Sequence, residues 1–436
     1  MSELPEIVVA PPGPRSRALA SRLAAVESPA FEARRDARAA ASGSEQAPIV
    51  YARAAGSNVW DADGNRYVDL TAGFGAMILG HAPNLASEAA RAAFADLPLA
   101  LGDVYASETK VKACEAIASL FPERGARVML GLSGADAVTC ALKTAMLATK
   151  RAKIIAFHGS YHGLSYAPLA ACGLAASFRE PFAAQLGDHV VFVPYPSSVA
   201  DLDASLGAVR AALKAGDVGA VLVEPMLGRG GCVTPPSSFL AALRSLTYEA
   251  EALLVADEIW TGMGRTGAML GCDLVGVVPD VVCLGKGLGG GVPISACVGR
   301  ASVMEAWGAH GGSTIHTGTH FGSPPACAAA LAVIEALRGG VIERAEENGE
   351  RLRAELEGAL ASREGIAVTG RGMMIGIALG SAATALSIAR ALLAKGFIVL
   401  TGGSRGDVLT LSPPLVLEPE LASAFVAALC AEIDRT

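Results

Sequence analysis

Between residues 127 and 298, short apolar runs alternate with alanine-rich stretches of helical spacing. That alternation limits the architectures open to the chain. The runs fall at 127–132, 153–157, 190–193, 220–224, 253–257, 281–284 and 295–298. Val281 to Leu284 is apolar throughout, as suits a strand covered on both faces, where no polar alternation is needed. Helical stretches such as 135–149 and 237–250 separate many of the runs. Strand, helix and strand in repetition make βαβ units. The chain therefore predicts an α/β fold with a seven-stranded, mostly parallel sheet under helices.

The flanks read differently. Residues 1–14 are proline-rich and are expected to be poorly ordered. Residues 15–27 suit a short amphipathic helix. Residues 48–70 alternate around Asp61-Ala62-Asp63-Gly64-Asn65, which reads as a hairpin and its turn. The Asp-x-Asp-Gly pattern hints at calcium, but the rest of the twelve-residue ligand loop is absent. After a helix near 324–338, the remainder mixes amphipathic helices with short strands. It reads as a smaller α+β domain packed with the N-terminal hairpin. The division expected is 1–75, 76–335 and 336–436.

Composition removes several classes of function. With 52% hydrophobic and 18% charged residues the chain is globular. A net charge of −7 gives no support for nucleic-acid or membrane-surface binding. No uninterrupted apolar stretch approaches the roughly 18 residues that span a bilayer. The first residues lack the charged and apolar regions of a signal peptide. Nine cysteines are scattered without a CxxC pair or metal spacing, which points to a reducing, cytoplasmic location and no metal. Cys283 and Cys297 read as core packing.

In an open α/β sheet, ligands bind beyond the carboxyl ends of the strands. The residues just after each run are therefore the candidate site. Lys286 follows Gly285 and precedes Gly287, Gly289, Gly290 and Gly291. A lysine between a buried strand and a glycine loop can be desolvated, which lowers its pKa and frees its amine. The alternative is a surface lysine beside a flexible loop. Ser133 and Asp136 have the spacing of a capping box, and Gly134 and Ala135 would offer free amides at a helix N-terminus. The alternative there is an ordinary cap. Tyr161, in His158-Gly159-Ser160-Tyr161-His162-Gly163, could stack on a planar ligand. His158 and His162 lack the third ligand a metal would need. Glu224 ends one run. Asp257 ends another, where a carboxylate needs a partner, either a cationic ring nitrogen or Arg265. Thr319 supplies a hydroxyl before a later helix. An anion site, a stacking ring, an acid and a lysine together suit pyridoxal 5'-phosphate.

The order of the motifs carries a resemblance. VWDADGNRYVDLTAG, SGADAVTCALK, FHGSYHG, VEP, VADEIWTGMGRTG, LGKGLGGGVP, GTHFGSPPACAAA and LTLSPPLVL follow one another from about residue 48 onward. The chain resembles class III (ω-amino acid type) pyridoxal-phosphate-dependent aminotransferases of fold type I. The resemblance implies that residues 76–335 bind the cofactor and that Lys286 forms its Schiff base and moves the proton. It implies that Asp257 pairs with the ring nitrogen and that Ile259 and Tyr161 sandwich the ring. Gly134 and Ala135 hold the phosphate, and Glu224 lies near Asp257. Thr319 reaches the phosphate of a partner's site in a homodimer with shared active sites. Phe74 lines the substrate pocket. The substrates implied are a small-molecule amine or ω-amino acid and a 2-keto acid.

Two of the departures from the family bear on substrate. Many members carry a glutamate five residues after that of VEP and an arginine shortly before the C-terminal PPL, which together form a switchable gate. Here these positions are Arg229 and Thr410. Arg229 is a candidate to bind a substrate carboxylate. The alternative is that it faces solvent or pairs with another acid. Motifs around the cofactor also fit an amino-acid racemase, epimerase or aminomutase. A non-catalytic cofactor-binding protein is disfavoured by the presence of both Lys286 and Asp257.

Overall fold

The computed structural model describes residues 2–309 and 311–435. Near the N-terminus, strands β1 (Tyr51–Ala55), β2 (Asn58–Asp61) and β3 (Arg66–Asp69) form an antiparallel set. The turn between β2 and β3 is the one expected. Asp61 builds it: its carboxylate accepts the amides of Asp63 and Asn65, each at 2.9 Å, and the Tyr67 hydroxyl at 2.7 Å. Its oxygens are engaged by protein donors, which leaves the calcium reading without support.

The large sheet contains β4 (Arg127–Gly131), β5 (Lys153–Phe157), β6 (Val190–Val193), β7 (Val218–Val223), β8 (Leu253–Asp257), β9 (Val281–Leu284) and β10 (Ser295–Gly299). Their spatial order is β4-β10-β9-β8-β7-β5-β6. All neighbouring pairs are parallel except those of β10, which runs antiparallel to both β4 and β9. β7 and β9 are buried along their whole length, the environment their unbroken apolar sequences require. Cys283 and Cys297 face one another across the β9–β10 pair, fully buried.

A third sheet holds β11 (Ala367–Arg371), β12 (Met374–Ala378), β14 (Leu400–Gly402) and β15 (Val408–Leu411) in the order β11-β12-β15-β14. The short strand β13 (Phe397–Ile398) joins β3 instead, in parallel. The smaller α+β part thus draws on both termini. Helix Pro324–Ala336 continues, through a kinked turn with Gly340 at φ 101°, into helix Ile342–Leu360. Among the described residues, 324–360 is the one helical run long and apolar enough to cross a bilayer. Half of its apolar window is buried against other parts of this chain. Its apolar residues belong to a core cluster that also includes Leu284, Ile375 and Phe425.

The N-terminal residues differ from expectation. Residues 2–13 are tied to the β2–β3 turn rather than loose. Glu6 exchanges two backbone hydrogen bonds with Arg66, at 2.8 and 2.9 Å. The Asn65 side chain accepts the amides of Val8 and Val9, both at 2.9 Å. Asp63 accepts those of Arg15 and Ser16 at 2.7 and 2.8 Å, at the start of helix Pro14–Ala24. Two polar turn side chains therefore satisfy the backbone of a proline-rich arm that has few donors of its own.

Candidate active site

Parallel strands end on one edge of the sheet, and five candidate segments meet there. The register pairs Asp257 at the end of β8 with Cys283 in β9, and Lys286 stands three residues further on. Lys286 has φ +42°, a left-handed conformation that costs energy for a side chain of any size. Together Gly134, Ala135, Tyr161, His162, Gly163, Leu164, Glu224, Asp257, Ile259, Trp260 and Lys286 line a cavity of about 270 Å³. Two larger grooves, of about 400 and 410 Å³, lie elsewhere, and neither brings a lysine to a carboxylate within such a wall.

Burial lowers the Lys286 amine from its ordinary value to about 8. The carboxylates of Asp257 and Glu224 oppose that shift, and Arg229 and Arg265 add to it. The Nζ atom lies 4.7 Å from the centre of the Trp260 ring. Trp260 fits because its neighbours are glycines. A Cβ at Gly75 would stand 2.6 Å from its Nε1, and one at Gly228 would stand 2.4 Å from its Cε3.

Asp257 is 3% exposed. Its Oδ1 accepts the Ile259 amide at 3.1 Å, and its Oδ2 accepts from His162 Nδ1 at 2.7 Å. Arg265 is not its partner. That guanidinium is buried and donates instead to the carbonyls of Met373, at 3.0 Å, and Pro413. Glu224 accepts the amides of Tyr161 at 2.7 Å and Gly228 at 2.9 Å. Burial pushes its carboxyl up to about 7, with His162 opposing the rise and Asp257 adding to it.

Helix Gly134–Thr149 begins with the capping box expected. Ser133 Oγ accepts the Asp136 amide at 3.2 Å, and Asp136 accepts the Ser133 amide at 2.9 Å. The cap is compatible with an anion site: it leaves the first-turn amides of Gly134 and Ala135 without intrahelical partners, beside the cavity. Gly134 packs closely on Ile259: a Cβ there would stand 2.8 Å from Ile259 Cδ1 and displace that flexible side chain.

Of the other expected residues, Arg229 stands beside the cavity wall, and Thr319 and Phe74 lie outside it. Arg229 is half-buried, with its guanidinium 4.8 Å from the centre of the Tyr161 ring. Among the described residues no carboxylate approaches it within ion-pair distance. Thr319 is exposed. Phe74 is 63% exposed. Thr410 is buried in β15 and donates to the Leu400 carbonyl at 3.3 Å. His162 and Trp260 are the residues sequence reasoning passed over. His162 stands next to Tyr161 in the same strand-end segment, which is the signal that could have found it. His158, the other histidine of that segment, stacks on Phe192.

A reactive amine, a buried carboxylate, a half-exposed aromatic ring and open helix amides on one small wall fit the aldehyde, cationic ring and phosphate of pyridoxal 5'-phosphate. Comparison with known proteins agrees. The family profile described as "Aminotransferase class-III" matches residues 39–433. An acetylornithine aminotransferase of Mycobacterium tuberculosis is 39% identical over 395 residues, covering 89% of this chain and 92% of the relative. A 4-aminobutyrate aminotransferase of Mycobacterium leprae is 32% identical, covering 86% and 88%. The solved ornithine aminotransferase of Toxoplasma gondii superposes with a TM-score of 0.80 at 30% identity, covering 88% of this chain and 90% of that one.

Proposed function

The chain belongs to the class III aminotransferases, enzymes of pyridoxal 5'-phosphate-dependent amino-group transfer, and from that premise we propose that its amine substrate carries a carboxylate bound by Arg229. The amino group passes from this amine or ω-amino acid to a 2-keto acid. The observation that carries the reading is the pair Asp257 and Lys286, set on adjacent strand ends in one cavity wall.

Bound pyridoxal 5'-phosphate supplies an aldehyde for the amino group and a cationic ring that draws electrons from the substrate's α-carbon. The remaining work belongs to the chain. Lys286 would hold the cofactor between turnovers, and its freed amine would take the proton from the donor's amine-bearing carbon in one half-reaction and deliver one to the acceptor's carbonyl carbon in the other. One atom can do both because its pKa lies near working pH. Asp257 holds a proton on the ring nitrogen. Tyr161 and Ile259 would hold the ring between them, and Gly134 and Ala135 would hold the phosphate. Glu224 fixes the Tyr161 backbone beside the ring.

Arg229 reads the substrate's free carboxylate. Two features support this: its guanidinium is stacked over Tyr161 at the cavity, and no acid of the chain pairs with it among the described residues. The relatives named for acetylornithine and 4-aminobutyrate act on carboxylated amines as well. Those relatives are aminotransferases, and none lends support to a racemase or aminomutase.

The same reading makes the enzyme a cytoplasmic homodimer with shared sites and the three-part division 1–75, 76–335 and 336–436. Exposed apolar side chains crowd one segment, including Phe74, Leu85, Phe94, Leu101, Val104 and Tyr105, a surface suited to burial against a second copy. Thr319 and Phe74, exposed in the single chain, serve the partner's site and the substrate pocket.

A panel of amines against 2-keto acids tests the function. Arg229→Ala tests the recognition: it should raise KM by about tenfold or more for carboxylated donors, the worth of a charge-assisted bond. The KM for simple amines without a carboxylate should be unchanged. Unchanged KM for every accepted carboxylate substrate would refute the role.

A further inference from the structure

We infer that His162 is a positioning residue that orients Asp257 toward the cofactor's ring nitrogen. The inference rests on the reading of Asp257 given above and deepens it.

The His162 side chain is fully buried. Taking an imidazole out of water is costly unless its nitrogens find partners. Nδ1 has one, Asp257 Oδ2 at 2.7 Å, a length typical of a bond strengthened by charge. Among the described residues Nε2 has none, although it is buried. Among the described residues, the one side-chain hydrogen bond this ring makes is therefore to Asp257. A histidine kept solely for packing would be replaceable by an apolar side chain without leaving an orphaned nitrogen.

The surroundings fix the ring in that pose. Tyr161, one residue before, is anchored through its amide to Glu224. Ser160, two before, donates its hydroxyl to the Phe157 carbonyl at 2.7 Å. Gly163, one after, has φ +109°, and a Cβ there would stand 3.0 Å from that of Ala135. The segment can thus lie against the start of helix Gly134–Thr149 and aim His162 back at β8.

The effect on Asp257 is geometric. A carboxylate at a strand end can rotate about its last bond. Here Oδ1 is held by the Ile259 amide and Oδ2 by His162, so the plane of the carboxylate is set by two donors on opposite oxygens. The Ile259 amide belongs to the backbone two residues away and cannot be removed by substitution. His162 is the half of the clamp that can.

The test is a double-substitution cycle on the loaded enzyme, read by cofactor dissociation constant and by the visible absorbance of the bound cofactor. His162→Leu should weaken cofactor binding by about tenfold, the loss expected for a hydrogen bond to a charged group, and shift the absorbance band. His162→Asn, whose amide can still donate to Asp257, should recover most of the binding and restore the band. In an Asp257→Asn background, His162→Leu should cause little further loss, because it acts through a carboxylate no longer there. Thermal unfolding of each variant separates these effects from a general loss of structure. The inference is overturned if His162→Leu binds the cofactor with unchanged affinity and spectrum. It is equally overturned if the loss is as large in the Asp257→Asn background, or if His162→Asn recovers nothing while folding as stably as the parent. If Asp257→Asn alone leaves affinity and spectrum unchanged, the reading of Asp257 fails, and the inference fails with it.

Discussion

The lowered pKa of Lys286 makes a quantitative claim about the enzyme stripped of its cofactor. An ordinary lysine amine titrates at 10.5, and this one titrates at about 8. At pH 7 the free-amine fraction is then roughly one in ten, against roughly one in 3000 for the ordinary group, a gain of roughly 300-fold. Only the free amine attacks an aldehyde. The rate at which stripped enzyme captures pyridoxal 5'-phosphate, followed by stopped-flow absorbance, should therefore rise with pH up to about 8 and level off above it. Glu224, raised to about 7, ionises within that interval and favours the ammonium, which makes the rise shallower below pH 8. Neighbouring charges should move the inflection in known directions. Asp257→Asn removes a charge that favours the ammonium and should lower it. Arg229→Leu removes a charge that disfavours the ammonium and should raise it. A rate that keeps climbing through pH 10, as for a lysine in water, would refute the desolvation argument.

Two glycines give further tests. A Cβ at Gly173 would stand 2.0 Å from the Phe157 carbonyl oxygen, and backbone cannot yield as a side chain does. Gly173→Ala should cost about 1–3 kcal/mol of stability, visible as a lowered Tm, and an unchanged Tm would show that the loop relaxes freely. Gly134→Ala meets the flexible end of Ile259 and should barely change Tm. It should nonetheless weaken cofactor binding, because Ile259 is displaced within the wall of the cavity. Equal affinity in equilibrium binding would remove Ile259 from the ring's contacts.

The seven strands of the large sheet were legible because buried parallel strands advertise themselves as unbroken apolar runs. The runs at 153–157, 190–193, 253–257 and 281–284 match β5, β6, β8 and β9. Their carboxyl ends were then enough to collect Lys286, Asp257, Glu224, Tyr161 and Gly134. What the sequence could not carry was information held between distant residues. Nothing local distinguishes β10, antiparallel to both its neighbours, from the parallel strands of the sheet, because strand direction depends on the path of the connections. The order of residues 2–13 depends on Asp63 and Asn65, and the role of His162 depends on an aspartate 95 positions later. A lone histidine in a strand-end loop carries no sign of which carboxylate it will meet.

Arg229 and Thr410 show both limits at once. The sequence reveals that a cation now occupies the position at which many members carry an acid, and a hydroxyl the position at which they carry a cation. It does not reveal whether the two positions can still communicate. In the fold Thr410 is buried, and its hydroxyl is engaged by Leu400. The Arg229 carbonyl accepts the Gly403 amide at 2.8 Å, which fastens its segment to the turn after β14. A gate that works by forming and breaking an ion pair needs both charges and a side chain free to swing. Here neither charge of that pair is present, and the cation standing in the acid's place is stacked on Tyr161 from an anchored backbone. On the proposed reading, recognition has changed in kind, from a switch between two substrate classes to a fixed cation that favours carboxylates in both half-reactions.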